Sequence, residues 1–193
     1  MTIGAAWWGT LASVEVILAH GASGSAASMR PHVDGLRARG MEARAIDLPV
    51  RKAETVVDAY GAAAGDLVGR VIGGHSYGGR VASLLAASAD PGPAGLVLLS
   101  YPLHRPGAPD REARTVHWAA IRCPVLFLSG ESDPFARIDL LRGAVAELSP
   151  TAELVTWPRL GHSLAPVREE VLDRVAAFAR ACAIDENDLS RRP

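Results

Sequence analysis

Two cysteines, Cys123 and Cys182, and a single lysine, Lys52, are all that this 193-residue chain holds of those two residue types. So few thiols leave no disulfide framework, and a chain of this length can bury roughly 70% of its unfolded surface in one core without such staples. The two thiols therefore read as inert core residues of a reducing compartment, and the expected location is cytoplasmic. An excess of positive charge is missing too: 20 Lys and Arg stand against 21 Asp and Glu, a formal net charge of −1. Without a global basic field there is nothing to hold a phosphate backbone or an anionic lipid surface, so neither nucleic acid nor a membrane is an expected partner. No apolar run nears the ~20 residues that a spanning helix needs, and residues 1–11 carry no basic residue ahead of their short apolar segment, so no membrane or secretory segment is expected. His-x-x-x-His and Cys-x-x-Cys spacings are absent, and no metal or other cofactor is expected.

What the chain does have is 49% hydrophobic and 21% charged residues, an ordinary globular composition far from that of disorder. Short apolar runs at 14–19, 43–47, 70–73, 95–100, 125–129 and 153–157 alternate with segments of helical spacing. Such alternation predicts an α/β fold: a minimal, mostly parallel sheet of about six strands, buried by helices on both faces. Helices are expected over 29–39, ending at Gly40, over 53–64, and over 79–89 before the breaker Asp90-Pro91-Gly92-Pro93. In the last helix Val167, Val171, Val175, Phe178 and Cys182 form one apolar stripe, with Arg168, Glu169, Arg174 and Arg180 left for water. One domain spans 1–184, and the polar stretch 185–193 is expected to fray. Parallel strands joined by right-handed crossovers end on one edge of the sheet, so chemistry belongs just after the strands.

After the third strand comes Gly74-His75-Ser76-Tyr77-Gly78, followed by Gly79 and a helix. A serine on so tight a strand-to-helix turn leaves no room for side chains two residues before or after it, and the helix N-terminus favours negative charge there. In a chain with 19 glycines the bare pattern also fits an unreactive glycine-rich turn. A serine hydroxyl needs a base, and the base needs an acid to orient it. Both occur after later strands. Asp133 lies in Ser129-Gly130-Glu131-Ser132-Asp133-Pro134, with Glu131 as a rival acid, and His162 lies in Leu160-Gly161-His162-Ser163. His20, His75 and His104 fall near the same edge but fit the role of base less well, and His32 and His117 fall in helical or surface segments. The loop His20-Gly21-Ala22-Ser23-Gly24-Ser25 follows the first strand; the amides of Ala22 and Tyr77 are the natural donors to a developing oxyanion, each worth roughly 3 kcal/mol. A phosphate loop is the competing interpretation, but Lys52 lies far from it in the sequence.

Together these four elements resemble an α/β-hydrolase over nearly the whole chain. Within that superfamily, Gly79-Arg80-Val81-Ala82-Ser83 after the elbow and Tyr101-Pro102-Leu103-His104 with Pro106-Gly107 resemble the small, lidless dienelactone-hydrolase-like group, which includes testis-expressed-30-type and NSL-complex-subunit-type hydrolase domains. The resemblance implies a triad of Ser76, Asp133 and His162 with an oxyanion hole at Ala22 and Tyr77. Two departures stand out. The family's first two strands are absent or reduced to the segment 3–10, and the stretch 101–123 has space for only a loop and a short helix, so no cap domain is expected.

The resulting expectation is a serine hydrolase that cleaves small carboxylic esters or thioesters through an acyl-enzyme, with Tyr101, His104, Trp118 and Trp157 as candidates for lining the substrate pocket. The small-molecule substrate is the expected partner; nothing in the sequence indicates a protein partner. A non-catalytic interaction module on the same fold, or cofactor-free perhydrolysis or C–C cleavage on the same triad, are the alternatives. Haloalkane dehalogenation needs a carboxylate where Ser76 stands. An imidazole base of reference pKa ~6.5 must be neutral to act, so activity should rise through about pH 6 to 7 and flatten above.

Overall fold

The computed structural model describes residues 14–109, 114–148 and 151–189, the last six of these by backbone alone. The segment 3–10, raised above as a vestige of two further strands, lies outside them. In chain order the elements are β1 (Glu15–Ala19), α1 (Arg30–Ala38), β2 (Glu42–Ile46), α2 (Val57–Ala64), β3 (Arg70–His75), α3 (Tyr77–Ser88), β4 (Gly95–Leu99), β5 (Val125–Gly130), α4 (Ile138–Ala146), β6 (Ala152–Trp157) and α5 (Arg168–Leu189). The six strands form one sheet in the order β2-β1-β3-β4-β5-β6, and every pairing is parallel.

Strand residues alternate between two apolar layers, as period-two geometry requires. Ile17, Ile72, Leu98 and Phe127 face one layer with Tyr60 of α2, Val81 and Leu85 of α3 and Leu141 of α4. Val16, Leu18, Val71, Val97 and Leu126 face the other, with Val33 and Leu36 of α1 and Val171, Val175 and Cys182 of α5. Both faces of the central strands are thus covered, and their sequences read as continuous apolar runs for that reason. The chain reverses its winding direction at β1. From there α1 leads to β2 on one side of the strand, whereas α2 crosses back over β1 to reach β3 on the other. The crevice at such a switch point is where open α/β sheets bind ligands.

Two local details differ from expectation. The helix expected over 53–64 divides into a 3-10 turn at Ala53–Thr55 and α2, because Val56, with φ −120°, interrupts it. The helix expected from 29 begins one turn earlier as a 3-10 segment, Ala26–Met29, and ends as predicted at Gly40, whose φ of +76° lets the Gly40 and Met41 amides donate back to Arg37 and Leu36. The backbone of α5 runs to Leu189, and no glycine or proline interrupts the sequence from Arg168 to that point.

Two half-buried histidines make folding depend on acidity. Burial, aided by the Arg168 charge beside His32 and the Arg80 charge beside His117, pushes both imidazoles from 6.5 down to about 4. Each is neutral when folded and takes up a proton more readily when unfolded, so the stability it contributes is whole above about pH 6.5 and is lost as pH falls towards about 4. The urea midpoint should therefore fall across that window, and His117→Gln should flatten part of the decline. A variant whose midpoint falls as steeply as the wild type's would contradict the assignment.

Candidate active site

The elbow is built by close backbone contact. Ser76 stands between β3 and α3 at φ +50° and ψ −110°, a conformation that costs a non-glycine residue about 1–3 kcal/mol. Its amide donates to Leu99 O of the neighbouring strand at 2.8 Å, which fixes the turn at the top of the sheet. A β-carbon on Gly74 would overlap the Ala19 carbonyl, and one on Gly78 would lie 2.6 Å from both Ala19 C and His20 O. These two positions admit only glycine, for the reason the spacing suggested.

His162 arrives on the loop after β6 and Asp133 on the loop after β5. The two loops are stitched together: Glu131 N donates to Trp157 O at 3.0 Å and Ser132 N to Leu160 O at 2.8 Å. His162 Nε2 lies 2.8 Å from Ser76 Oγ, and His162 Nδ1 lies 2.8 Å from Asp133 Oδ2. The carboxylate is fully buried at its side chain, whereas the imidazole keeps 24% exposure. The other oxygen of Asp133 accepts the Phe135 amide at 2.8 Å, an Asx turn across Pro134 that sets the carboxylate's orientation. That turn also carries the Phe135 ring to 4.5 Å from the His162 ring, centroid to centroid. Glu131, the rival acid, is engaged elsewhere: it accepts from Thr156 Oγ1 at 2.8 Å and pairs with Arg142 at 2.6 Å.

Ala22, Ser76 and Tyr77 border one cleft of about 770 Å³. Among the described residues neither the Ala22 nor the Tyr77 amide donates to another protein group, so both are available to an oxygen in the cleft. The loop carrying Ala22 is braced by His20, which is buried: its Nε2 accepts the Leu48 amide at 3.0 Å, so the proton sits on Nδ1 and is donated to Gly21 O at 2.8 Å. The phenol of Tyr77 donates to Pro49 O at 2.7 Å and accepts the Arg51 amide at 3.2 Å, which anchors one wall of the cleft.

The residues expected to line the pocket do not. Tyr101 is 1% exposed, stacked edge-on against Trp118 and Phe127, and its hydroxyl donates to Arg114 O at 2.6 Å. Trp118 is equally a core residue. His104 is a buried brace of the same kind as His20: Nε2 accepts the Arg137 amide at 2.9 Å and Nδ1 donates to Arg105 O at 2.9 Å, tying the loop after β4 to the loop of Asp133. Trp157, on the edge strand, packs on the α5 side of the sheet and donates from Nε1 to Glu170. The cleft is lined instead by Arg51, Glu54, Arg80, Arg114 and Phe135, none of which the sequence marked as pocket lining. Of these, only Phe135 carried a signal, an apolar residue two positions after Asp133 in an otherwise polar loop.

Comparison with known proteins agrees with this architecture. A family model described as an alpha/beta hydrolase domain matches residues 35–186. The chain is similar in structure to a monoacylglycerol lipase of Paleococcus ferrophilus, with 16% identity, 87% of this chain and 94% of that one covered, and a TM-score of 0.70. A pyrethroid hydrolase from Sphingobium faniae JZ-2 shares 20% identity over 88% of this chain and 98% of that one, with a TM-score of 0.66. A thermophilic esterase from Thermogutta terrifontis shares 18% identity over 89% and 91%, with a TM-score of 0.67. With the family match spanning most of its length, the chain belongs to the α/β-hydrolase domain family.

Proposed function

We propose that this α/β-hydrolase is a serine hydrolase that cleaves small carboxylic esters or thioesters through an acyl-enzyme. The observation that carries the reading is the continuous pair of 2.8 Å contacts from Ser76 Oγ through His162 to Asp133. In the proposed reaction the Ser76 hydroxyl donates its proton to His162 Nε2 as the oxygen attacks the carbonyl carbon. His162 Nδ1–H donates to the buried Asp133 carboxylate, which stabilises the imidazolium so formed. The amides of Ala22 and Tyr77 hold the oxyanion of the tetrahedral intermediate. On collapse His162 returns the proton to the leaving alcohol or thiol, and water, activated by the same imidazole, then releases the acid and restores Ser76. Ser100 and Arg159 also adopt a positive φ, but of the three only Ser76 sets its hydroxyl 2.8 Å from His162 Nε2, and that combination favours the catalytic reading over the interaction module.

We also place the chain in the lidless dienelactone-hydrolase-like group. In support, the described residues between β4 and β5 contain loop and one 3-10 turn, Trp118–Ala120, and no larger element. An open cleft excludes water poorly and offers little to a long acyl chain, so short-chain esters should be preferred, with modest turnover. Cys182 is buried and burial pushes the Cys123 thiol up to about 11, which fits the cytoplasmic reading.

A fluorophosphonate probe should label the wild-type protein stoichiometrically and leave Ser76→Ala unlabelled; a folded wild type that takes no label would end the proposal. Kinetics on p-nitrophenyl butyrate should separate the two acids: Asp133→Asn should lower kcat by about 10³- to 10⁴-fold, and Glu131→Gln by less than about tenfold. Equal losses in the two variants would contradict the assignment of the acid.

A further inference from the structure

The cleft beside Ser76 is far more positive than the chain as a whole. Overall the charges nearly balance, 20 basic against 21 acidic residues, yet the described cleft lining holds Arg51, Lys52, Arg80, Arg105 and Arg114 against a single carboxylate, Glu54. Glu54 is already taken, because Arg80 Nη2 donates to its Oε1. Among the described residues no carboxylate lies within ion-pair distance of Arg51, Lys52, Arg105 or Arg114. These cations come from three separate segments: the loop after β2, the first turn of α3, and the loop between β4 and β5. They are near enough to disturb one another: burial and the charges of Arg80 and Arg105 lower the affinity of Arg114 for its proton, and burial together with Arg80 keeps His117 neutral. Like charges gathered round a cavity oppose their own assembly, and where Glu54 is the single carboxylate of the described lining, an anion seated among them relieves that opposition. The lining also includes the apolar side chains Leu84, Val116 and Phe135, suited to a few methylene groups.

We propose that the substrate of this site is an ester or thioester bearing an anionic group, carboxylate or phosphate, which the arginines lining the cleft, Arg51, Arg105 and Arg114 among them, receive while the carbonyl lies at Ser76. This rests on the serine-hydrolase reading above and adds the charge of the substrate to it. The anion can belong to the acyl part, as in a dicarboxylic monoester, or to the leaving group, as in a phosphorylated thiol.

Two matched pairs of substrates separate these sources. One pair is the p-nitrophenyl monoester of glutaric acid and its neutral methyl diester; the other is acetyl-coenzyme A and acetyl-N-acetylcysteamine. After correction for uncatalysed hydrolysis, the anionic member of at least one pair should exceed its neutral partner in kcat/KM by about tenfold or more at low salt. The pair that responds tells which half of the substrate carries the charge. The ratio should shrink severalfold as ionic strength rises from ~20 to ~500 mM, and severalfold again in Arg105→Gln and in Arg51→Gln, two exposed positions whose replacement leaves the core intact. A wild type that labels with fluorophosphonate yet processes the neutral members as well as the anionic ones, or whose ratio ignores both salt and the two substitutions, overturns the anionic substrate and leaves the serine hydrolase standing. A folded protein that takes no label overturns both.

Discussion

Where the elbow crosses the end of β1, the carbonyls of Ala19 and His20 occupy the space that side chains at Gly74 and Gly78 would need. Most of the site's geometry follows from that approach. It brings the residues after β1 against the turn after β3, so the loop bearing Ala22 and the serine at the elbow border one cleft at the sheet's switch point. It also aims the N-terminus of α3, with its unpaired amides, at the place where negative charge would develop. The parallel sheet does the rest, since strands that all run one way deliver Asp133 and His162 to the same edge from β5 and β6.

Little in the site is left to hang from loops alone. His20 and His104 each accept a distant backbone amide on Nε2 and donate from Nδ1 to the carbonyl of the next residue, one bracing the loop of Ala22 and the other the loop of Asp133. Backbone bonds join the loops of Asp133 and His162, and a β-carbon on Gly130 would collide with Leu160 O and Gly161 O at their junction. Support of this kind holds the His162 imidazole between the oxygens of Ser76 and Asp133, the preorganisation that the proposed reaction would need.

The four central strands could be read in advance because a strand buried on both faces must be a short, continuous apolar run such as Leu96 to Leu99, whereas the partly buried edge strands β2 and β6 were marked by their place in the strand–helix alternation. That Ser76, Asp133 and His162 meet at one edge was legible for a similar reason: tight turns restrict residue choice, and the strands that precede the three all run the same way. Pocket lining was not legible. A tyrosine or tryptophan after a strand looks the same in sequence whether it faces the core, as Tyr101 and Trp118 do, or the solvent. Nor could the basic cleft be seen, since its members are scattered from Arg51 to Arg114 in a chain whose total charge nearly vanishes.

The account depends most on a covalent bond forming at one oxygen. Trypsin cuts after Arg70 and Arg80, so the peptide 71–80 isolates Ser76 as the only serine it contains. Rapid acid quenching of the protein with a slowly deacylating ester, followed by digestion and mass spectrometry, should find that peptide heavier by one acyl group during turnover and unmodified afterwards. Steady hydrolysis with peptide 71–80 always at its native mass, or with the acyl group on another peptide, would contradict it.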